Sequence, residues 1–176
     1  MRTLLAVTLA VLASVATAHA CSLVSTPHVL DAEEQKIDHK APDKISASVA
    51  RIVRGRGSDA HEDGTMSATS CDDIGSVVLA LASRPNDDRT PPDKIGYRII
   101  RVDGKLPEGA EISASATRDL TPGNELTFYW IDGATDDQEP IEFALAVVAV
   151  DLAGNESEPS EPVWIRHPGK GDEPHC

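Results

Sequence analysis

The sequence lacks the short motifs by which catalytic and cofactor-binding sites are most often found. It contains no G-x-S-x-G nucleophile motif, no HExxH zinc motif, no P-loop, no G-x-G-x-x-G dinucleotide motif and no C-x-x-C pair. The absence of these spacings argues against the common nucleophilic, zinc, phosphate and redox chemistries. The sequence therefore predicts a protein with no catalytic site and no cofactor.

Positive charge is scarce as well. The chain has 16 Lys and Arg residues against 29 Asp and Glu residues, and its formal net charge is -13. Its only basic cluster is Arg51, Arg54 and Arg56. Phosphate recognition needs a basic face, so we expect no nucleic-acid partner, and repulsion would keep the chain away from anionic membrane surfaces. The acidic residues are interpreted as a well-solvated surface.

Long apolar runs are absent after the first 20 residues. Those residues contain Arg2, an apolar stretch from Leu4 to about Ala13, and the ending Ala18-His19-Ala20. This layout is typical of a cleaved secretory signal peptide, and the apolar stretch is shorter than the roughly 20 residues of a membrane-spanning helix. The sequence therefore predicts a secreted or periplasmic protein without a membrane span, with a lipoprotein anchored through Cys21 as the alternative.

Cysteines are few and odd in number: Cys21, Cys71 and Cys176. An exported chain meets an oxidising compartment, so we expect at least one disulfide and one remaining thiol. A nucleophile made from Cys71 or Cys176 with a histidine is the weaker alternative, because cysteines of exported chains are more often bridged.

Short β-type runs separated by turn residues make up most of the mature chain. A polar N-terminal extension covers residues 21–42, a domain covers 43–168, and a flexible tail covers 169–176. The alternation of apolar and polar residues predicts seven strands in this domain, near residues 45–52, 76–82, 94–102, 111–117, 125–131, 141–150 and 162–167. A slip of the alternation at Ala50 predicts a β-bulge in the first strand.

Three segments resemble bacterial fibronectin type III domains. FALAVVAVDLAGNESEPSEPVWI is similar to the last two strands of that family, KIGYRIIRVDG to its third strand, and ASRPNDDRTPPDKIGY to the loop before the third strand. Together they cover roughly residues 76–166. The resemblance implies an all-β, seven-stranded fibronectin type III or immunoglobulin-like β-sandwich, a fold whose modules mostly act as binding units or spacers.

The topology implied by this resemblance also bears on the disulfide. Cys71 would open the second strand, at the end of the sandwich where the last strand also finishes. We expect a bridge between Cys21 and Cys71, since it would anchor the extension and restrict the unfolded chain. A bridge between Cys71 and Cys176 is the alternative.

One sheet of the implied sandwich has two apolar faces. Alternation points one set of side chains inward: Tyr97, Ile99, Phe143, Leu145, Val147, Ala149, Val163 and Ile165. The opposite set points outward: Arg98, Ile100, Val102, Ala144, Ala146, Val148, Val150, Trp164 and Arg166. Such a face is too apolar to be left in water, so we expect it to be covered or functional.

Two kinds of cover are open for this outward face. The first is the extension itself, through Leu23, Val24, Val29, Leu30 and Ile37. The second is a protein partner or a second copy of the chain, for which the hypothetical binding face is Arg98, Ile100, Val148, Trp164 and Arg166. The sequence does not indicate a small-molecule ligand.

Metal ligands are present only as scattered acids and histidines. The acid pairs Asp72-Asp73, Asp87-Asp88 and Asp136-Asp137 offer the oxygens that Ca²⁺ prefers, but no D-x-D-x-D-G loop orders them. The histidines have no ligand spacing. No metal site is predicted, and these acids are interpreted as solvated.

Two functions remain for a chain of this kind. The first is a non-catalytic, exported binding or adhesion module that contacts another extracellular or envelope macromolecule. The alternative is a structural or spacer protein of the cell envelope with no specific ligand.

Overall fold

The two sheets of the domain are antiparallel, and each has three strands. The structure is a computed structural model that describes residues 25–55, 74–118, 120–121, 123–132 and 138–169. The strand order is β1-β2-β4 in one sheet and β3-β5-β6 in the other. The elements are α1 (Glu34–Ile37), β1 (Ala47–Val53), β2 (Ile74–Leu81), β3 (Gly96–Gly104), β4 (Glu125–Ile131), β5 (Ile141–Val150) and β6 (Val163–His167).

The core lies between the two sheets and follows the alternation of the strands. All the predicted inward residues of β3, β5 and β6 belong to the buried core except Ile99, which is partly buried against it. Three aromatic rings meet at the centre, with Phe143 packing edge-on against Phe128 and Trp130 at centroid distances of 6.2 and 6.3 Å. Edge-to-face pairs of this kind stabilise a core beyond the area that they bury. The predicted all-β sandwich is therefore confirmed at the level of two packed sheets.

Two strands contain irregularities. The register of β1 against β2 shifts between Val49 and Arg51, which confirms the bulge predicted at Ala50. A second shift lies in β3 between Arg101 and Asp103, where the alternation of the sequence indicated none. Each shift lets one extra residue into a strand and increases the local twist.

The predicted strand at residues 111–117 is not formed. The described residues contain six strands, and in this segment Thr117 alone forms β-bridges, single ones to Tyr97 and Pro27. Ser113 bonds locally instead, because its hydroxyl accepts from the Ser115 N–H at 3.1 Å and donates to the Ser115 carbonyl at 3.2 Å. Serine side chains that satisfy nearby backbone groups compete with a strand ladder in this way. The count of seven strands is therefore wrong for the described part of the chain.

The N-terminal extension lies across one end of the sandwich. Its backbone bonds to loops there: the N–H of His28 to the Ala116 carbonyl at 2.9 Å, and the N–H of Asp31 to the Leu152 carbonyl at 2.7 Å. Val29, Leu30 and Ile37 remain exposed. The expectation that these three side chains cover the outward sheet face is therefore wrong, because side chains packed over that face would be largely buried themselves. Leu23 and Val24 lie outside the described residues.

The strand directions define two ends of the sandwich. At the extension end, β2 and β5 finish and β3 begins, and the loops of residues 82–95 and 151–162 join the extension there. At the Arg54 end, β1, β4 and β6 finish and β5 begins.

Several predictions fall on residues that the structure does not describe. The signal segment 1–20 and the three cysteines, Cys21, Cys71 and Cys176, all lie outside the described ranges, so export and the disulfide stay predictions. Across residues 25–55, 74–118 and the other described ranges, no helix combines the length and the apolar character needed to cross a bilayer.

Candidate functional site

The outward surface of the sheet β3-β5-β6 is the candidate site, and we call it the Trp164 face. Its centre is built from two small side chains of β5, Ala144 and Ala146, which are completely buried. Ala144 lies opposite Trp164 in β6, and Ala146 lies opposite Ile100 in β3. Small residues on the central strand leave room for the longer side chains of the edge strands to lie over them. Since Val148 and Val150 are buried as well, much of the apolar area that the sequence places outward is not exposed to solvent.

Trp164 is the most exposed aromatic side chain of this face. It keeps 42% of its surface in contact with solvent. The guanidinium carbon of Arg166 lies 4.8 Å from the centroid of its ring, within the range of a cation–π contact. Arg166 also donates from Nε to Oε1 of Glu142 on the neighbouring strand at 2.8 Å. The Trp164 ring is thus bordered by an arginine whose direction is set by a cross-strand carboxylate.

A second ion pair lies at the other margin of the Trp164 face. Arg98 of β3 donates from Nη2 to the carboxylate of Glu156, in the loop after β5. In the sheet register Arg98 is directly opposite Val148. Val148 is only 2% exposed, so its side chain is not accessible to a partner. The prediction that Val148 contacts a partner is therefore wrong, because other residues of the fold cover its side chain.

The five residues of the hypothetical binding face thus separate into three groups. Trp164 and Arg166 are exposed, Arg98 and Ile100 are partly buried, and Val148 is buried. Sequence reasoning missed Glu142 and Glu156, which fix the two arginines. Glu142 was predictable in principle, since alternation along β5 places it on the same face as Ala144. Glu156 belongs to a loop, where no periodicity indicates direction.

The Arg54 end contains a buried ion pair. Arg54 donates from Nε to Oδ2 of Asp132 at 2.7 Å and from Nη2 to Oδ1 at 2.9 Å, and the two side chains are 8% and 5% exposed. The Gly55 N–H donates to Oδ2 of the same carboxylate at 2.7 Å, and Arg54 Nη2 donates to the Glu139 carbonyl at 3.1 Å. A bidentate pair with these additional bonds compensates both buried charges.

The protonation of Asp132 follows from these contacts. Burial acts to raise the pKa of the Asp132 carboxyl, but the hydrogen bonds from Arg54 and from the Gly55 N–H, with the charge of Arg54, outweigh it and hold the pKa below its ordinary value. The carboxylate is ionised at neutral pH, and both of its oxygens accept hydrogen bonds. It lines an open cleft of about 770 Å³ next to Ile131 and Ile141. This arrangement suits a structural clamp better than a general base, which needs an oxygen free to take a proton.

Three acids meet at the extension end. One carboxylate oxygen each from Asp38, Asp87 and Asp88 lies within 4.8 Å of the other two. Asp38 belongs to the extension, and the other two belong to the loop between β2 and β3. The sequence indicated only the adjacent pair Asp87-Asp88, because Asp38 is brought to it by the path of the extension.

Comparison with known proteins assigns no family to the chain. No protein-family model matches the sequence, and no curated protein matches it either. The likeness to fibronectin type III domains therefore depends on the three quoted segments, and the fold itself is established at the level of a two-sheet β-sandwich.

Proposed function

We propose that this protein is an exported, non-catalytic binding module that contacts another extracellular or envelope macromolecule through the Trp164 face. The observation that carries the proposal is Trp164 itself, 42% exposed on a sheet face whose central side chains are fully covered. A tryptophan left half in water loses the hydrophobic stabilisation that burial would give it, and a docking partner would recover it.

The chemistry around Trp164 favours a protein partner. Tryptophan and arginine are enriched among the interface residues whose substitution by alanine weakens binding the most. Here Arg166 lies against the Trp164 ring, and Glu142 adds a hydrogen-bonded carboxylate beside them. A sheet face with one aromatic anchor and a charged margin matches the usual layout of a hydrophobic centre and a polar rim.

Export is part of the same proposal. The segment 1–20 carries the signal features described above, and the mature chain would begin at Cys21. Mass spectrometry of the protein isolated from the producing cells tests this point. An intact Met1, or a lipid adduct on Cys21, would contradict this form of export.

Site-directed photocrosslinking tests the binding face. A photoreactive phenylalanine analogue replaces Trp164 in one variant and Tyr129 in a matched control. Tyr129 is 40% exposed and lies on the other sheet, in β4. We expect a discrete, reproducible adduct from position 164 in the exported fraction, identified by mass spectrometry, and none from position 129. Equal labelling at both positions, or no adduct at either, would instead favour a spacer without a specific ligand.

A further inference from the structure

We propose that Asp38, Asp87 and Asp88 form a calcium-binding site that fastens the N-terminal extension to the loop between β2 and β3. The inference is separate from the proposed binding function, because it concerns the extension end of the sandwich and none of the residues of the Trp164 face. It starts from the three carboxylates that lie within 4.8 Å of one another.

Asp38 is the unusual member of this group. It is only 3% exposed, and its Oδ2 atom is buried without a hydrogen-bond partner among the described residues. Its other oxygen, Oδ1, accepts from the Lys40 N–H at 3.1 Å, which fixes the direction of the carboxylate. A buried carboxylate oxygen without a partner is costly, so such groups are normally paired or bound to a metal ion.

Asp87 has the same arrangement. Its Oδ1 atom accepts from the N–H groups of Arg89 at 2.9 Å and Thr90 at 2.6 Å, which holds the loop in a tight local turn. Its Oδ2 atom is buried and has no hydrogen-bond partner within the described part of the chain. Two segments far apart in sequence thus each hold one carboxylate in place and leave one buried oxygen unused. The oxygens of a binding site are arranged in this way before the ion arrives.

The positive charges among the described residues balance this group only in part. Lys40 Nζ lies 3.7 Å from Oδ2 of Asp88, and both side chains are at least half exposed. A contact of that length and exposure contributes little. The Arg89 guanidinium is hydrogen-bonded to Glu34, which accepts from its Nε at 2.8 Å, so its charge acts on Asp38 and Asp88 only through space. Three carboxylates therefore face one another with one loosely placed ammonium group among them.

The spacing fits calcium better than magnesium. Calcium binds oxygens at about 2.3 to 2.6 Å in irregular geometry, so one ion reaches two oxygens up to about 5 Å apart. Magnesium requires nearly octahedral oxygens at about 2.0 to 2.1 Å and keeps most of its water. Asp38, Asp87 and Asp88 supply one oxygen each, and water would complete the coordination. Modules outside the cell commonly bind calcium with a Kd of about 10⁻⁴ to 10⁻³ M, and we expect this range.

Calorimetric titration of the purified full chain with CaCl₂ is the test. We expect one site in the stated range, weakened about tenfold or more by Asp38→Asn and by Asp88→Asn, because affinity depends on the number of charged ligands. Asp103→Asn is the matched control: it removes the same charge from an exposed aspartate in β3, near the Arg54 end. Its affinity for calcium should equal that of the unchanged protein. MgCl₂ at the same concentration should give much less heat.

Thermal unfolding gives a second, independent measurement. At a free calcium concentration ten times Kd, the unfolding equilibrium constant should fall about elevenfold in the unchanged chain and in Asp103→Asn, with little change in Asp38→Asn. If Asp38→Asn fails to fold, the exposed Asp88→Asn variant still decides the question.

Three results would overturn the proposal. Equal weak binding by all variants would mean a diffuse attraction to an acidic protein. Absence of binding up to about 10 mM calcium would also contradict the site, since that lies well above the expected Kd. Equal stabilisation of the unchanged chain and Asp38→Asn by calcium would also overturn it, because the added stability would then come from another site. None of these results would bear on photocrosslinking at Trp164, so the two proposals can fail separately.

Discussion

Asp132 at the Arg54 end and Asp38 at the extension end are both buried, and their charges are compensated in opposite ways. At the Arg54 end, Asp132 is held by a bidentate arginine and a backbone N–H. At the extension end, Asp38 faces two more carboxylates, and one of its oxygens has no hydrogen-bond partner among the described residues. The chain supplies the counter-charge at the first end and leaves it incomplete at the second. A buried acid is therefore informative only together with what compensates it.

The largest loss of stability is expected from removing the arginine of the Arg54 end. Arg54→Met leaves the Asp132 carboxylate buried without its cation, which should lower the free energy of unfolding by about 3 to 5 kcal/mol. Chemical denaturation followed by fluorescence measures it. Arg51→Met is the matched control, because Arg51 is exposed in β1 just before Arg54, and it should change stability by about 0.5 kcal/mol or less. Equal losses of stability in the two variants would show that the buried Arg54 and Asp132 pair contributes no more than an exposed arginine does.

The carboxylate itself provides a sharper comparison between the ends. Asp132→Asn should destabilise the protein strongly, because it leaves Arg54 buried and unpaired. Asp38→Asn in calcium-free buffer should be neutral or stabilising by up to about 1 kcal/mol, since it removes a buried charge that is only partly compensated. Both variants are compared by denaturation in the presence of a chelator. A loss at Asp38 as large as the loss at Asp132 would contradict the contrast between the two ends.

The pH dependence of stability also distinguishes the Arg54 end from the extension end. The folded-state pKa of Asp132 lies below its ordinary value of 3.8, so its stabilising contribution is complete above that pH and is lost as pH falls through the lower, folded-state pKa. The difference in stability between the unchanged chain and Asp132→Asn should therefore be constant near neutral pH and shrink below about pH 4. A difference that grows on acidification would contradict the assigned charge state.

The smallest effect is expected on the Trp164 face. Glu142→Gln removes the carboxylate that bonds to Arg166, and both side chains are about 60% exposed. An exposed pair of this kind contributes about 0 to 1 kcal/mol, so denaturation should detect little change. The same substitution should reduce the yield of the photocrosslink at position 164 if the charged margin of the face contributes to docking. Unchanged crosslinking would limit the binding site to the Trp164 ring.

The local pattern of the sequence predicted much of the fold. Alternation along β5 assigned Phe143, Leu145 and Val147 to the core, and the slip at Ala50 located the bulge, because each depends on neighbouring residues alone. The strand predicted at residues 111–117 was wrong for the same reason. Alternation takes no account of the local hydrogen bonds that Ser113 makes.

The charged clusters were beyond such reasoning. Arg54 and Asp132 are 78 positions apart, and Asp38 meets Asp87 only because the extension crosses the end of the sandwich. The burial of Val148 likewise depends on the surrounding fold and not on its own strand alone. Sequence periodicity indicates which face of a strand a residue occupies, but not which distant side chain covers or neutralises it.

A crystal structure of the protein grown in calcium tests most directly whether the extension end recruits the counter-charge that the chain does not supply. The account predicts one ion about 2.3 to 2.6 Å from an oxygen of each of Asp38, Asp87 and Asp88, with water filling the remaining positions. The Arg54 and Asp132 pair should be unchanged in the same crystal. An ordered Lys40 ammonium group between the three carboxylates, with no ion in saturating calcium, would contradict it.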